Sequence, residues 1–188
     1  YNVTDSSTNV ATQVTRTVSV QDTLPPVITL TGENPLVLEA SRTAEYTDLG
    51  ATCEDTVDGT LSHAVEVSGQ IVNLRIPATY TIRYNCQDLS ENQAPQQTRT
   101  VTVQDTLPPV ITLTGNSPLV HEAGTPYTDS GATAIDTIDG DLTQSIVMTG
   151  TVDTNTLGSY VLAYNVTDSS TNVATQVTRT VSVQDTLP

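Results

Sequence analysis

Two histidines, two cysteines and 21 acidic residues are the side chains from which any reactive or metal-binding centre in this 188-residue sequence would have to be drawn. His63 and His121 lie far apart in sequence and share no flanking motif, so they read as surface residues. No nucleophile elbow, zinc-protease helix, phosphate loop or dinucleotide fingerprint occurs. Paired acids could serve a glycosidase. A chain without Trp or Phe, however, offers no aromatic platform for a sugar. The sequence therefore reads as non-enzymatic. Cys53 and Cys86 belong to no CxxC pair and have no third ligand nearby, which weighs against a metal or redox role. Asn2-Val-Thr4 and Asn165-Val-Thr167 match the glycosylation sequon, but that pattern is common by chance and plain strand residues are the stronger reading.

The acids fall in three recurring places. One is the tight loop Asp55-Thr-Val-Asp58-Gly, repeated as Asp136-Thr-Ile-Asp139-Gly-Asp141. Another begins at Asp88 and again at Asp168, each followed four residues later by Asn. The third is Asp-Thr-Leu-Pro, at Asp22, Asp105 and Asp185. Clustered carboxylates suit a hard cation with oxygen ligands, Ca²⁺ above all outside the cell. The spacing is not that of an EF-hand loop, which needs a Glu at its twelfth position. The competing reading is that each Asp closes a turn through its own backbone.

Six basic residues, none of them Lys, give a net charge of −15. Nucleic-acid binding needs clustered cations and is excluded on that ground. Anionic membrane surfaces are disfavoured likewise. No apolar run approaches the ~20 residues of a membrane span. With neither an initiator Met nor a signal peptide, the chain reads as mature or as a fragment. Thr and Val dominate, which favours strands over helices.

The elements that must position these groups repeat. Residues 1–25 recur letter for letter at 164–188. Val27-Ile-Thr-Leu-Thr-Gly32 recurs from Val110, Tyr46-Thr-Asp from Tyr127, and Tyr84-Asn85 as Tyr164-Asn165. This divides the chain into a leading segment at 1–24, one domain at 25–107 and a second at 108–188. The leading segment reads as the last two strands of a further unit plus a linker, since two strands cannot bury a core alone. Either the chain is a window from a longer tandem array, or 1–22 is donated to a neighbouring subunit.

Within a unit, apolar residues alternate, as at Tyr80, Ile82, Tyr84 and Cys86. Turn signals recur every eight to twelve residues, the rhythm of an all-β sandwich. Strands are expected at 27–31 (A), 36–40 (A′), 50–54 (B), 62–68 (C), 71–76 (E), 80–87 (F) and 95–104 (G). Strands B and F of an immunoglobulin-type sandwich face each other across the core, so Cys53 and Cys86 should form a disulfide. The second unit has Ala134 and Val166 at those positions, losing both cysteines together. An oxidising location follows. Tyr84 and Tyr164 stand two residues before the second cysteine position. They fit either a tyrosine corner bonded to nearby backbone or plain core residues. His121 replaces Leu38, which suggests a strand at a sheet edge.

The motifs PPVITLTGxxPLVxEA, YTDxGATxxDxxDGxLT and YNVTDSSxN resemble bacterial immunoglobulin-like tandem repeats related to hyalin repeats. The resemblance spans 27–187. It implies tandem Ig-like sandwiches arranged as beads on a rod, in a secreted or cell-surface protein. The implied role is a stalk, shaft or filament; the alternative is an adhesin or carbohydrate-binding accessory module. The expected partners are neighbouring repeats, joined covalently or by strand donation. Tracing such a sandwich puts the linker, the B–C loop and the F–G loop at one pole. Asp22, Asp55, Asp58 and Asp88 should then meet before the first unit, and Asp105, Asp136, Asp139, Asp141 and Asp168 before the second. Ca²⁺ would relieve their repulsion, which at 4 Å is about 1 kcal/mol in water and about 4 kcal/mol at an effective dielectric of 20. The extra Asp141 predicts tighter binding in the second group.

Overall fold

The computed structural model describes residues 1–187. Among the described residues fourteen strands form two sets of seven in the same order. The first set is β1 (Val27–Leu30), β2 (Leu36–Glu39), β3 (Ala51–Asp55), β4 (Gly59–Thr60), β5 (Glu66–Gly69), β6 (Ala78–Asn85) and β7 (Gln97–Gln104). The second is β8 (Val110–Leu113), β9 (Leu119–Glu122), β10 (Ala132–Asp136), β11 (Gly140–Asp141), β12 (Val147–Thr149), β13 (Gly158–Asn165) and β14 (Val177–Gln184). Each set makes a three-stranded sheet, β1-β3-β4 and β8-β10-β11, and a four-stranded one, β2-β7-β6-β5 and β9-β14-β13-β12. These are Ig-like sandwich sheets, and the expected all-β class is the observed one.

The chain splits between sheets early in each set. β1 pairs antiparallel with β3, with Ile28 opposite Cys53. β2 then runs parallel to β7, with Leu38 opposite Val103. β9 and β14 repeat this, with His121 opposite Val183. Alternation decides which side chains turn inward: Leu162 and Tyr164 on β13, and Arg179, Val181 and Val183 on β14, are buried while their neighbours are not. In the second set Ile111, Ala134, Leu162, Tyr164, Val166 and Ala174 form a continuous core.

By compactness the chain divides differently, into one unit of residues 1–31, 50–68 and 83–97 and another of the remaining described residues. The first holds β1, β3 and β4, and the second holds the whole second set.

Several expected strands differ. Residues 71–76 form no strand. Asn73 Oδ1 accepts the Arg75 N–H at 3.0 Å, and the Tyr80 hydroxyl donates to the carbonyls of Asn73 and Ile76 at 3.0 and 2.9 Å. That turn chemistry outweighs the β-propensity of Ile71 and Val72. Strand C begins only at Glu66, because Ser62–Ala64 form a 3-10 turn whose Ser62 hydroxyl accepts the Cys53 N–H. Residues 1–22 contain no strand, only an isolated bridge between Thr4 and Val10. Pro188, the end of the expected second domain, lies outside the described residues.

Candidate functional site

Asp105, Asp136 and Asp168 come together from three separate segments. Asp105 follows β7, Asp136 ends β10, and Asp168 lies three residues beyond β13. One carboxylate oxygen from each lies within 4.8 Å of the others, and all three residues are buried. Each loop is set locally. Asp136 Oδ1 accepts the N–H groups of Ile138 and Asp139 at 2.7 and 2.8 Å. Asp105 Oδ1 accepts that of Leu107. Asp168 takes both the N–H and the side-chain amide of Asn172. The same amide donates to the Asp105 carbonyl at 3.1 Å, which ties two of the segments together.

These bonds are the turn chemistry expected of Asp, and they leave something over. Asp105 Oδ2 and Asp136 Oδ2 are buried with no hydrogen-bond partner. Burial pushes the Asp105 carboxyl above the ordinary Asp value and the Asp136 and Asp168 carboxylates push it further, against the opposing pull of the Leu107 N–H and the Ser170 side chain.

Asp22, Asp58 and Asp88 form a second such group within the first compact unit. Asp88 binds Asn92 as Asp168 binds Asn172, and Asn92 reaches the Asp22 carbonyl at 3.3 Å. Asp58 Oδ2 accepts the Leu89 N–H at 2.8 Å. Asp22 Oδ2 is buried without a partner, although Asp22 and Asp58 are only half-buried as residues.

Three expected acids stand outside both groups. Asp55 Oδ1 accepts the Val57 and Asp58 N–H groups. Asp139 is bound by the N–H and hydroxyl of Ser169 at 2.6 and 2.8 Å. Asp141 is exposed and accepts the Thr143 N–H. Having Asp141 in the loop therefore gives no reason for tighter binding in the second group. Burial distinguishes the two groups instead.

Cys53 and Cys86 form the expected disulfide. His63 is exposed, on a 3-10 turn. His121 sits on the edge strand β9 but is half-buried, packed edge-on against Tyr127 with ring centroids 5.1 Å apart. Asn2 is exposed, while Asn165 accepts a hydrogen bond from Gln176.

Both sets of strands align with one family, described as bacterial surface protein, Ig-like domain, over residues 28–103 and 111–183. The chain belongs to that family. No curated protein matches it. Among solved structures, a lipoprotein from Bacteroides thetaiotaomicron is 31% identical over 43% of this chain and 39% of its own, with a TM-score of 0.38. A structure of the M60 catalytic domain with the CBM51-1 and CBM51-2 domains of Clostridium perfringens ZmpB is 12% identical over 98% of this chain and 33% of its own, at TM-score 0.43. Human protocadherin-24 EC1-2 is 14% identical over 87% of this chain and its whole length, at 0.38. The chain thus spans well under half of either bacterial protein. Among the described residues no helix is long and apolar enough to cross a membrane.

In these Ig-like domains the residue that sequence reasoning missed is an arginine. Arg179 lies on the inward face of β14 and is fully buried. Its Nη1 meets Asp129 Oδ1 at 3.0 Å. Its Nη2 donates to the carbonyls of Thr114 and Gly131. Asp129 also accepts the Tyr164 hydroxyl at 2.6 Å, the Tyr127 hydroxyl at 2.9 Å and the Gly131 N–H at 2.8 Å. Tyr164 is therefore no tyrosine corner: its hydroxyl meets a side chain 35 residues upstream. Arg99 Nε pairs with Asp48 at 3.1 Å in the same way. The signal was present in the sequence. An Arg stands in step with the buried valines of β14.

Proposed function

We propose that the chain is a structural segment of a bacterial cell-surface shaft or filament, built of tandem Ig-like repeats related to hyalin repeats and doing mechanical, non-catalytic work. One observation carries this reading. Residues 164–183 close the second sandwich, with Tyr164 and Val183 each 1% exposed. The identical residues at 1–20 lie open, with Tyr1 at 83% and Val20 at 92%. Burying such side chains contributes roughly 1.5–3 kcal/mol each. The leading segment is thus matched to the body of another sandwich of the 110–163 type, and a chain that both contains and completes such bodies builds an array. The disulfide suits an extracellular location. The net charge of −15 keeps neighbouring arrays soluble and apart.

Single-molecule force spectroscopy tests the mechanical role. Two unfolding steps are expected for the two repeats, the first shortened because the disulfide locks a sequence separation of 33 residues. Reduction should lengthen that step by about 11 nm, from the ~3.4 Å span of an extended residue. Unfolding without resolved steps, or selective capture of the chain on a glycan array, would overturn the reading, the latter in favour of a carbohydrate-binding module.

A further inference from the structure

We propose that Asp105, Asp136 and Asp168 form a divalent-cation site selective for Ca²⁺. The first support is chemical. Their carboxylates supply hard oxygen ligands from three chain segments, one oxygen of each within 4.8 Å of the others. That spacing is close to what one ion needs to touch all three at the 2.3–2.6 Å typical of Ca²⁺. The second support is independent of the crowding. Asp105 and Asp136 are 6% and 4% exposed, and the Oδ2 atom of each has no partner. Turn formation accounts for their Oδ1 atoms and gives no reason to bury the second oxygens of both in one place. Leaving buried acceptors unsatisfied is costly, and doing so twice among like charges is more so. A cation satisfies both oxygens at once.

The loops hold this arrangement without the ion. Asn172 binds the Asp168 side chain and the Asp105 carbonyl together. Asp139, which the sequence suggests as a ligand, is instead occupied by Ser169 and holds its loop against that of Asp168. Six-coordinate Ca²⁺ would fill its remaining positions with water or backbone carbonyls. Mg²⁺ demands near-ideal octahedral geometry at 2.0–2.1 Å and parts with water reluctantly, so three buried carboxylates on separate loops favour the larger ion. The group of Asp22, Asp58 and Asp88 differs: it takes the second Asp of its loop, the counterpart of Asp139, and has a single unpartnered oxygen and more solvent.

The test is calorimetric titration of the full chain with CaCl₂ after chelation, alongside thermal unfolding with and without the ion. Wild type should bind Ca²⁺ and unfold at higher temperature in its presence. Asp105→Asn and Asp168→Asn should each weaken the tighter phase at least tenfold. Asp141→Asn and Asp22→Asn should leave that phase intact, since neither residue belongs to this group. Circular dichroism verifies that each variant is folded, and either of the first two suffices if the other is not. Absence of both binding heat and thermal shift up to about 10 mM Ca²⁺, above the ~10⁻⁴–10⁻³ M range of extracellular modules, would overturn the proposal. So would a tight phase that survives both substitutions, or equal affinity for MgCl₂.

Discussion

Arg179 is a charged side chain at a position where β14 alternation calls for an apolar one, and the partners of its two terminal nitrogens offset its cost, while its buried Nε has none. Asp129 is 14% exposed at its side chain and receives two hydroxyls, a backbone N–H and the guanidinium. Removing one member of such a pair strands the other, at about 3–5 kcal/mol. Asp129→Asn and Arg179→Ala should each destabilise the second repeat by that order in urea unfolding. Arg179→Met with Asp129→Leu together should recover only part of the loss, because the Tyr127 and Tyr164 hydroxyls lose their acceptor. The pair also sets a pH dependence. Burial opposes the Asp129 charge, yet the hydrogen bonds from Tyr164, Gly131 and Tyr127, with Arg179, hold its pKa below the ordinary Asp value. A depressed carboxyl stabilises the fold above its unfolded pKa of about 3.9, and this is lost as pH falls through the lower folded value. Acid unfolding followed by tyrosine fluorescence should be steeper in wild type than in Asp129→Asn.

Among the elements, the turn between β12 and β13 shows how tightly backbone geometry is specified. Gly150 has φ +96°, and a Cβ there would lie 2.3 Å from the Val161 carbonyl oxygen. No side-chain adjustment relieves a contact with backbone. Gly150→Ala should therefore cost more than about 2 kcal/mol, combining a disfavoured φ with a steric displacement. Gly124→Ala is the control: its φ is +73°, but nothing lies within 4 Å of the added carbon. The difference between the two melting temperatures measures the steric part alone. The disulfide is a second element-scale device, worth about 4 kcal/mol for its loop on the chain-entropy model. The second repeat has Ala134 and Val166 in its place and rests on packing.

At the scale of the whole molecule, 1–22 and 164–185 compare one sequence in two environments. A chain starting at Pro26 should keep both repeats folded, because the buried residues of the core and the β14 ion pair all lie beyond it. Sedimentation of the two chains then tests whether a second copy accepts the leading segment. Concentration-dependent assembly of the full chain, lost on removing 1–25, identifies a second copy as acceptor. Two monomers would count against donation of the leading segment to a second copy. Unfolding of the shortened chain would refute the division of labour between the leading segment and the repeats.

The sequence by itself determined what local chemistry and periodicity control. Period-two alternation placed most strands within a residue or two, and the paired loss of both cysteines in the second unit identified the disulfide. The Asp-Ser-Ser-Thr-Asn loop is the sharpest case. At 5–9 and at 168–172 Asp accepts the Asn N–H and amide, and Thr takes a positive φ of 69° and 72°. The flanking bridge forms in both copies, Thr4 with Val10 and Thr167 with Val173. That loop needs nothing beyond its own five residues. The following strand is different: 177–184 is β14, while the identical 14–21 is open and exposed. A strand's hydrogen bonds and buried face belong to its neighbours, so only the tertiary structure decides whether it exists. The carboxylate groups obey the same division. Repetition of Asp in three loops was legible, but each oxygen already bound within a turn was not. Which acids meet, Asp136 with Asp105 and Asp168 but Asp58 with Asp22 and Asp88, is decided by segments distant in sequence.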